Sequence, residues 1–475
     1  MNIILIVSDT FRHDYLGCYG NKWIRTPNLD GFAKKATVFD RAYAASFPTV
    51  PHRHDLYTGR YTFTYSDWAP LPKTEMVLPQ ALRQAGCVTQ LIADTPHILK
   101  DGFNYDRGFD GWLWIRGQEN DRYMTAPREV ELPCEPSKLR KRGVTTTQHL
   151  RNVSSRRSES DNFVAQTMTA ATKWLELNYN QHDKFFLHVD TFDPHEPWDP
   201  PRWYVDMYDP GYDGEEVIYP VYGPSDYLTE DELKHCRALY AGEVTMVDRW
   251  VGALLRQVED LGLLEDTAII FTSDHGFCLG EHGLIGKSVI APMASGSCPL
   301  YEEIAHVPLI IYLPFVNGGE HCQALAQPPD LTATILELTG ARNLDNMQGR
   351  SLLPLLEGED AAWRDFAVTS PSIIHGPVSG QRITVTSREW ALIYTGQIEE
   401  ALGDRPGRRR NFKRLEALAG KVENELYNLS KDPKQHNNVF DKERDVADRL
   451  HLKLVELLEM SRTREEYLRY WRRLG

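Results

Sequence analysis

The chain has 475 residues, 41% hydrophobic and 25% charged, enough apolar material for a sizeable core in an ordinary soluble-type composition. A net charge of −14 argues against a nucleic-acid binder and makes any anionic substrate depend on a local positive site. Seven scattered cysteines with no CxxC pair fit reduced thiols, with Cys87 and Cys278 in apolar surroundings.

Met1-Asn2 leads into the apolar run Ile3 to Val7, too short to span a membrane and lacking a basic start or a cleavage site. It reads as a buried first strand, with a cytoplasmic location and no membrane partner expected. The strand ends in Ser8-Asp9-Thr10, and a carboxylate just past a buried parallel strand is either a site residue or a helix cap. Ser46 to Arg60 reads as a turn and a short helix, with Pro51 in its first turn and Gly59 at its exit. Thr49 then lies at a helix N-terminus, where free N–H groups favour an anion, and Arg53 lies one turn on. A hydroxyl, a guanidinium and a helix N-terminus suggest a nucleophile for a phosphoryl or sulfuryl centre; a capped helix with a surface arginine is the plain alternative.

Leu78 to Ala85 has helical spacing, and Val88 to Ala93 reads as a parallel strand leading to Asp94, Thr95 and His97. Gly117 to Asp161 is polar, with a basic run Lys138 to Arg142, and is expected to form a lid or an oligomer contact with few apolar anchors. Phe163 to Tyr179 is an amphipathic helix, and the strand Lys184 to Asp190 runs into Asp193-Pro194-His195-Glu196-Pro197. Near neutral pH the His195 imidazole suits a general acid. Thr229 and Glu232 form a capping box for a helix to about Glu259. The next strand, Thr267 to Ser273, delivers Asp274-His275-Gly276, a carboxylate and an imidazole side by side, suited to a divalent cation. Val307 to Tyr312 is a further strand, Asp330 is expected to cap the helix Leu331 to Thr339, and a basic helix is expected over residues 445–473.

The segment Thr49-x-Pro-x-Arg53-x-x-x-x-Thr58-Gly59 resembles the sulfatase signature Cys/Ser-x-Pro-x-Arg-x-x-x-x-Thr-Gly, of the alkaline phosphatase superfamily, with phosphonate monoester hydrolases as close relatives. Ser273-Asp274-His275-Gly276, Gly280-Glu281-His282-Gly283-Leu284 with Lys287, and Glu425 to Pro433 resemble further family elements, so the likeness covers nearly the whole chain. It implies an α/β fold with a mostly parallel central sheet flanked by helices. Residues 1–362 would form the catalytic domain and 363–475 a C-terminal subdomain with a small antiparallel sheet and a terminal helix.

It also implies one divalent metal held by Asp9, Asp274, His275 and Thr49, with Arg53, His195 and Lys287 as catalytic groups on the substrate anion. Thr95 and His97 are candidate substrate-binding residues, and His282 a residue behind the ligands. Two positions depart from the family. Thr10 replaces a second aspartate, which moves the metal preference toward Mn²⁺ or Zn²⁺ with Ca²⁺ as the alternative. Thr49 replaces the Cys or Ser that becomes formylglycine, so an unmodified hydroxyl must act. The expected activity is therefore hydrolysis of phosphodiesters or phosphonate monoesters. Sulfate-ester hydrolysis is the alternative, and a non-catalytic anion-binding protein a third reading. The expected partner is a small anionic ester, with self-association open.

Overall fold

The computed structural model describes residues 1–291, 294–359 and 363–474. The opening apolar run forms β1 (Asn2–Ser8), buried along its whole length. Its side chains alternate between two cores, as the two-residue period of a strand requires. Ile4 and Ile6 pack with Val164, Met168, Val244 and Val247, whereas Ile3, Leu5 and Val7 pack with Val50, Leu56, Leu78 and Ile335.

The elements around it follow in chain order: β2 (Thr37–Phe39), β3 (Ser46–Phe47), α1 (Thr49–Thr58), β4 (Val88–Ala93) and β5 (Gly111–Trp114). Then come α2 (Phe163–Asn178), β6 (Phe185–Thr191), α3 (Glu230–Asp260), β7 (Thr267–Thr272), β8 (Leu284–Ala291), β9 (Leu309–Tyr312), β10 (Glu320–Cys322) and α4 (Pro328–Thr339). Eight strands form one sheet in the order β10-β2-β9-β7-β1-β6-β4-β5. Only β9 runs antiparallel to its neighbours; the other pairings are parallel. The expected mostly parallel sheet with helices on both faces is present.

Register brings the strand ends level. Val7 lies opposite both Asp190 and Thr272, and Ala93 lies opposite Asp190. Asp9, Thr95, Asp190 and Asp274 thus gather at one edge of the sheet, where open α/β folds place their sites.

A second sheet is made by β11 (Phe366–Pro371), β12 (Ile383–Ser387), β13 (Trp390–Tyr394) and β14 (Glu425–Asn428), antiparallel to one another. It recruits β3 as a parallel fifth strand, tying it to the start of α1. The expected domain boundary at residue 362 lies outside the described residues.

Two expectations need correction, and the polar segment is seen to be anchored. The basic terminal helix stops at Met460 as α5 (Arg444–Met460), followed by a short helix Glu465–Leu468. Asp330 lies inside the first turn of α4, where its carboxylate accepts the Gln327 N–H at 2.9 Å. The polar segment 117–161 is docked, not merely polar: Leu139 is fully buried, the Arg140 N–H donates to Tyr219 O at 2.9 Å, and the Val221 N–H donates to Lys138 O at 3.0 Å. No helix among the described residues is long and apolar enough to cross a membrane.

Candidate active site

Helix α1 is buried on every side although His52, Arg53, His54 and Asp55 lie within it. Buried polar groups at this density need partners, and most have them. Asp55 accepts from Ser46 N, Ser46 Oγ and Thr62 N, each at 2.7 Å. His54 Nε2 meets Glu75 at 2.5 Å. The helix begins at Thr49 and ends on Gly59 in the left-handed region (φ 66), the conformation glycine adopts without cost.

Arg53 is fully buried. Its Nε and Nη2 form a two-pronged ion pair with Asp190 at 2.9 and 3.0 Å, while Nη1 meets Asp274 and lies 3.2 Å from Asp9 Oδ2. The sequence assigned this guanidinium to the substrate anion; the structure turns it onto three carboxylates instead. Thr95 supports the same pair, donating to Asp190 Oδ1 at 2.5 Å from a fully buried position. It holds Arg53's partner and does not face an open space.

Asp9, Asp274 and His275 offer ligand atoms that all lie within 4.8 Å of one another, and all three residues are fully buried. Asp9 Oδ2 accepts no hydrogen bond, although Arg53 Nη1 lies 3.2 Å away. Burial first, and then the facing Asp274, raise Asp9 well above the usual carboxylate range. Burial works against charge on Asp274 too, but the Arg53 guanidinium that meets it favours the ionised form, and its carboxyl lies well below the usual range. Burial lowers His275 to about 3, and its Nδ1–H donates to Gly276 O at 3.1 Å, which leaves the Nε2 lone pair free. Two hard oxygens, one of them without a hydrogen bond, and a neutral imidazole fit a divalent cation.

Thr49 Oγ1 lies 3.5 Å from His275 Nε2, at the margin of this cluster. Lys287, buried on β8, donates to Thr10 Oγ1 at 3.1 Å and lies 3.4 Å from His275 Nε2. Thr10 fills the place of the missing aspartate: its N–H donates to Asp274 Oδ1 and its hydroxyl to Asp9 Oδ1, both at 2.9 Å. It does so with φ 62, a strained backbone for a branched residue and one found at functional sites.

His195 stacks on Phe192 with centroids 3.9 Å apart, and its Nδ1–H donates to Glu196 O at 2.6 Å. Burial, then Lys287, hold it well below its ordinary value, so it is neutral near pH 7. With Nδ1–H engaged, Nε2 is the ring nitrogen left open as a proton acceptor in this state. His97 keeps 15% of its side chain exposed, pairs with Glu119 at 3.0 Å and packs edge-on to Trp68 and Phe192.

Several site groups went unnoticed in sequence. Asp190, at the end of a buried strand, carried the same strand-end signal as Asp9 and Asp274. Glu119 and Arg140 come from the polar segment and join through Tyr219, whose hydroxyl donates to Glu119 while Arg140 donates to it. His52, held to about 3 by burial and then by Arg53, gave no pattern to read.

Residues 1–341 match the sulfatase family profile. An arylsulfatase of Clostridium perfringens is 26% identical over an alignment covering 96% of this chain and 94% of its own. The multifunctional alkaline phosphatase superfamily protein PehA of Trinickia caryophylli is 27% identical over 76% of this chain and 78% of its own. Among solved structures, the phosphonate monoester hydrolase of Agrobacterium radiobacter superposes with a TM-score of 0.72 at 21% identity, covering 97% and 96% of the two chains. The enzyme of the same name from Silicibacter pomeroyi gives 0.68 at 21% identity, covering 98% and 96%. With its fold shared by these enzymes and its profile match spanning most of its length, the chain belongs to the sulfatase family of hydrolases, within the alkaline phosphatase superfamily.

Proposed function

We propose that the chain hydrolyses phosphodiesters or phosphonate monoesters through the unmodified hydroxyl of Thr49. The supporting observation is its placement at the N-terminus of α1, 3.5 Å from the free face of His275 beside the carboxylate cluster. Asp9, Asp274 and His275 would hold the divalent cation, Mn²⁺ or Zn²⁺ before Ca²⁺, with Thr49 beside it. When bound, the cation supplies Lewis acidity, easing ionisation of an alcohol and polarising an ester oxygen.

The chain's own groups do the rest. The N–H groups at the start of α1 and the Lys287 ammonium face the transferred anion and stabilise charge as it develops. Thr49 Oγ bonds to phosphorus, the ester P–O bond breaks, and the alcohol leaves with the proton that Thr49 gives up. Water then attacks phosphorus as the Thr49 O–P bond breaks, and the proton it gives to Nε2 of His195 is returned to the Thr49 oxygen, which restores the hydroxyl and the neutral imidazole. Arg53 serves through Asp190, Asp9 and Asp274, fixing their positions and balancing their charge.

A threonine ester cannot shed its group by the elimination open to a formylglycine hydrate, and that favours phosphorus esters over sulfate esters. Sulfate-ester hydrolysis is the second reading, supported by the arylsulfatase likeness along the whole chain. A panel of aryl phosphodiester, phosphonate, phosphomonoester and sulfate esters, each assayed with Mn²⁺, Zn²⁺ and Ca²⁺, separates the two. Higher kcat/KM on a diester or phosphonate is the expected result; a preference for sulfate reverses the assignment, and no turnover on any ester supports the non-catalytic reading.

A further inference from the structure

The turn that leads into the Lys287 strand carries a buried ion pair of two ligand-type atoms, neither hydrogen-bonded, away from the catalytic cluster. His282 Nε2 and Glu303 Oε2 lie 3.4 Å apart, and their side chains are only 9% and 11% exposed. Both atoms are buried and neither makes a hydrogen bond, a costly state for two polar groups. Bonds of ~2.0–2.1 Å on a tetrahedral cation such as Zn²⁺ set neighbouring ligand atoms roughly 3.3 Å apart. The pair is therefore spaced as two ligands on one ion.

The local backbone fits a constrained site. His282 sits at φ 55, in the left-handed region that a side chain disfavours, and its ring stacks on Tyr301 with centroids 3.7 Å apart. A third imidazole is adjacent: His436 is exposed, on the loop after β14, with its ring centroid 5.7 Å from that of His282. Glu303 and His436 also line a cavity of about 510 Å³ between the two sheets' loops, which leaves room for that side chain to turn.

We propose that His282, Glu303 and His436 form a second divalent-metal site, of zinc type, closed when the His436 side chain rotates toward the buried pair. Such an ion joins three segments. One is the turn before β8, which carries Lys287. The second is the short helix Glu302–Ala305, whose Glu303 O accepts the Phe277 N–H at 2.9 Å and Ile304 O the Gly276 N–H at 2.8 Å, next to His275. The third is the loop that follows β14 of the C-terminal sheet. The ion would clamp that sheet to the arm that positions the catalytic lysine.

The test compares wild type with His436→Ala, a change at an exposed side chain that the fold tolerates. Both proteins are dialysed against micromolar Zn²⁺, and zinc per chain and thermal midpoint are measured with and without the ion. Wild type should hold one equivalent more than the variant, and its zinc-dependent rise in Tm should be lost in His436→Ala. Because the difference is read between the two proteins, zinc at the catalytic cluster cancels. Co²⁺ in place of zinc should give a visible tetrahedral absorption that is weaker in His436→Ala by the share of one site. Equal zinc content and equal Tm shifts would overturn the site and leave His282 and Glu303 as an ion pair alone.

Discussion

Arg53 shows how much of the site is a matter of charge balance. A guanidinium with no exposed surface is stable only because Asp190 takes two of its nitrogens and Asp274 and Asp9 face the third. Replacing Asp190 with Asn leaves a buried cation with half of its paired partner. A loss on the order of 3–5 kcal/mol is expected by urea unfolding, together with loss of turnover. A loss below about 1 kcal/mol with normal turnover would mean that Arg53 finds its balance elsewhere. The signature around Arg53 was legible in the sequence, but its partner, 137 positions away, was not. Nothing local in Phe185 to Thr191 says which strand-end carboxylate will face which cation.

At the level of elements, the strands that end in the site were the legible part. Apolar runs closing on Asp9, Asp190 and Asp274 have a pattern strong enough to read without a partner. Short strands near one side of the sheet, the edge strand β10 and its neighbour β2, each three residues long, exist only because a neighbouring strand is already in place. The docking of segment 117–161 was hidden for a related reason, since its hold comes mostly from polar bonds to distant residues such as Asp193, Asp199 and 219–221, with Leu139 as its fully buried apolar side chain. The turn after β7 offers a direct test. A Cβ on Gly276 would lie 2.1 Å from Glu303 O and 3.0 Å from Arg12 Cγ, and a backbone carbonyl cannot step aside. Gly276→Ala should therefore displace His275 and lower both Tm and turnover; a variant with wild-type values for both would show that the turn has slack.

Across the whole molecule, burial sets opposing demands on protons. Burial raises Glu196, which accepts no hydrogen bond at either oxygen, to about 7, and raises Asp55 to the same value. Unfolded carboxyls ionise near 4, so these two contribute stability in full below that pH and lose it as pH rises through about 7. Buried histidines pull the other way: burial lowers His52 to about 3 and His188 to about 4. Their contribution is complete above about 6.5 and drains as pH falls. Above pH 6.5 only the carboxyl effect still changes, so Tm should fall between pH 6.5 and 8. Glu196→Gln carries no titrating carboxyl there, and its fall over the same interval should be smaller. An equal fall in both proteins would show that Glu196 is already ionised in the fold.

The nucleophile is tested most directly by trapping. A slow aryl ester is mixed with the metal-loaded enzyme, quenched in acid during turnover, and the peptides are weighed. Thr49 as nucleophile predicts the mass of the transferred group on the peptide that contains Thr49, no adduct in Thr49→Ala, and turnover in that variant lower by on the order of 10³. Absence of any adduct, with Thr49→Ala still turning over at a substantial fraction of the wild-type rate, would contradict it and place attack with water.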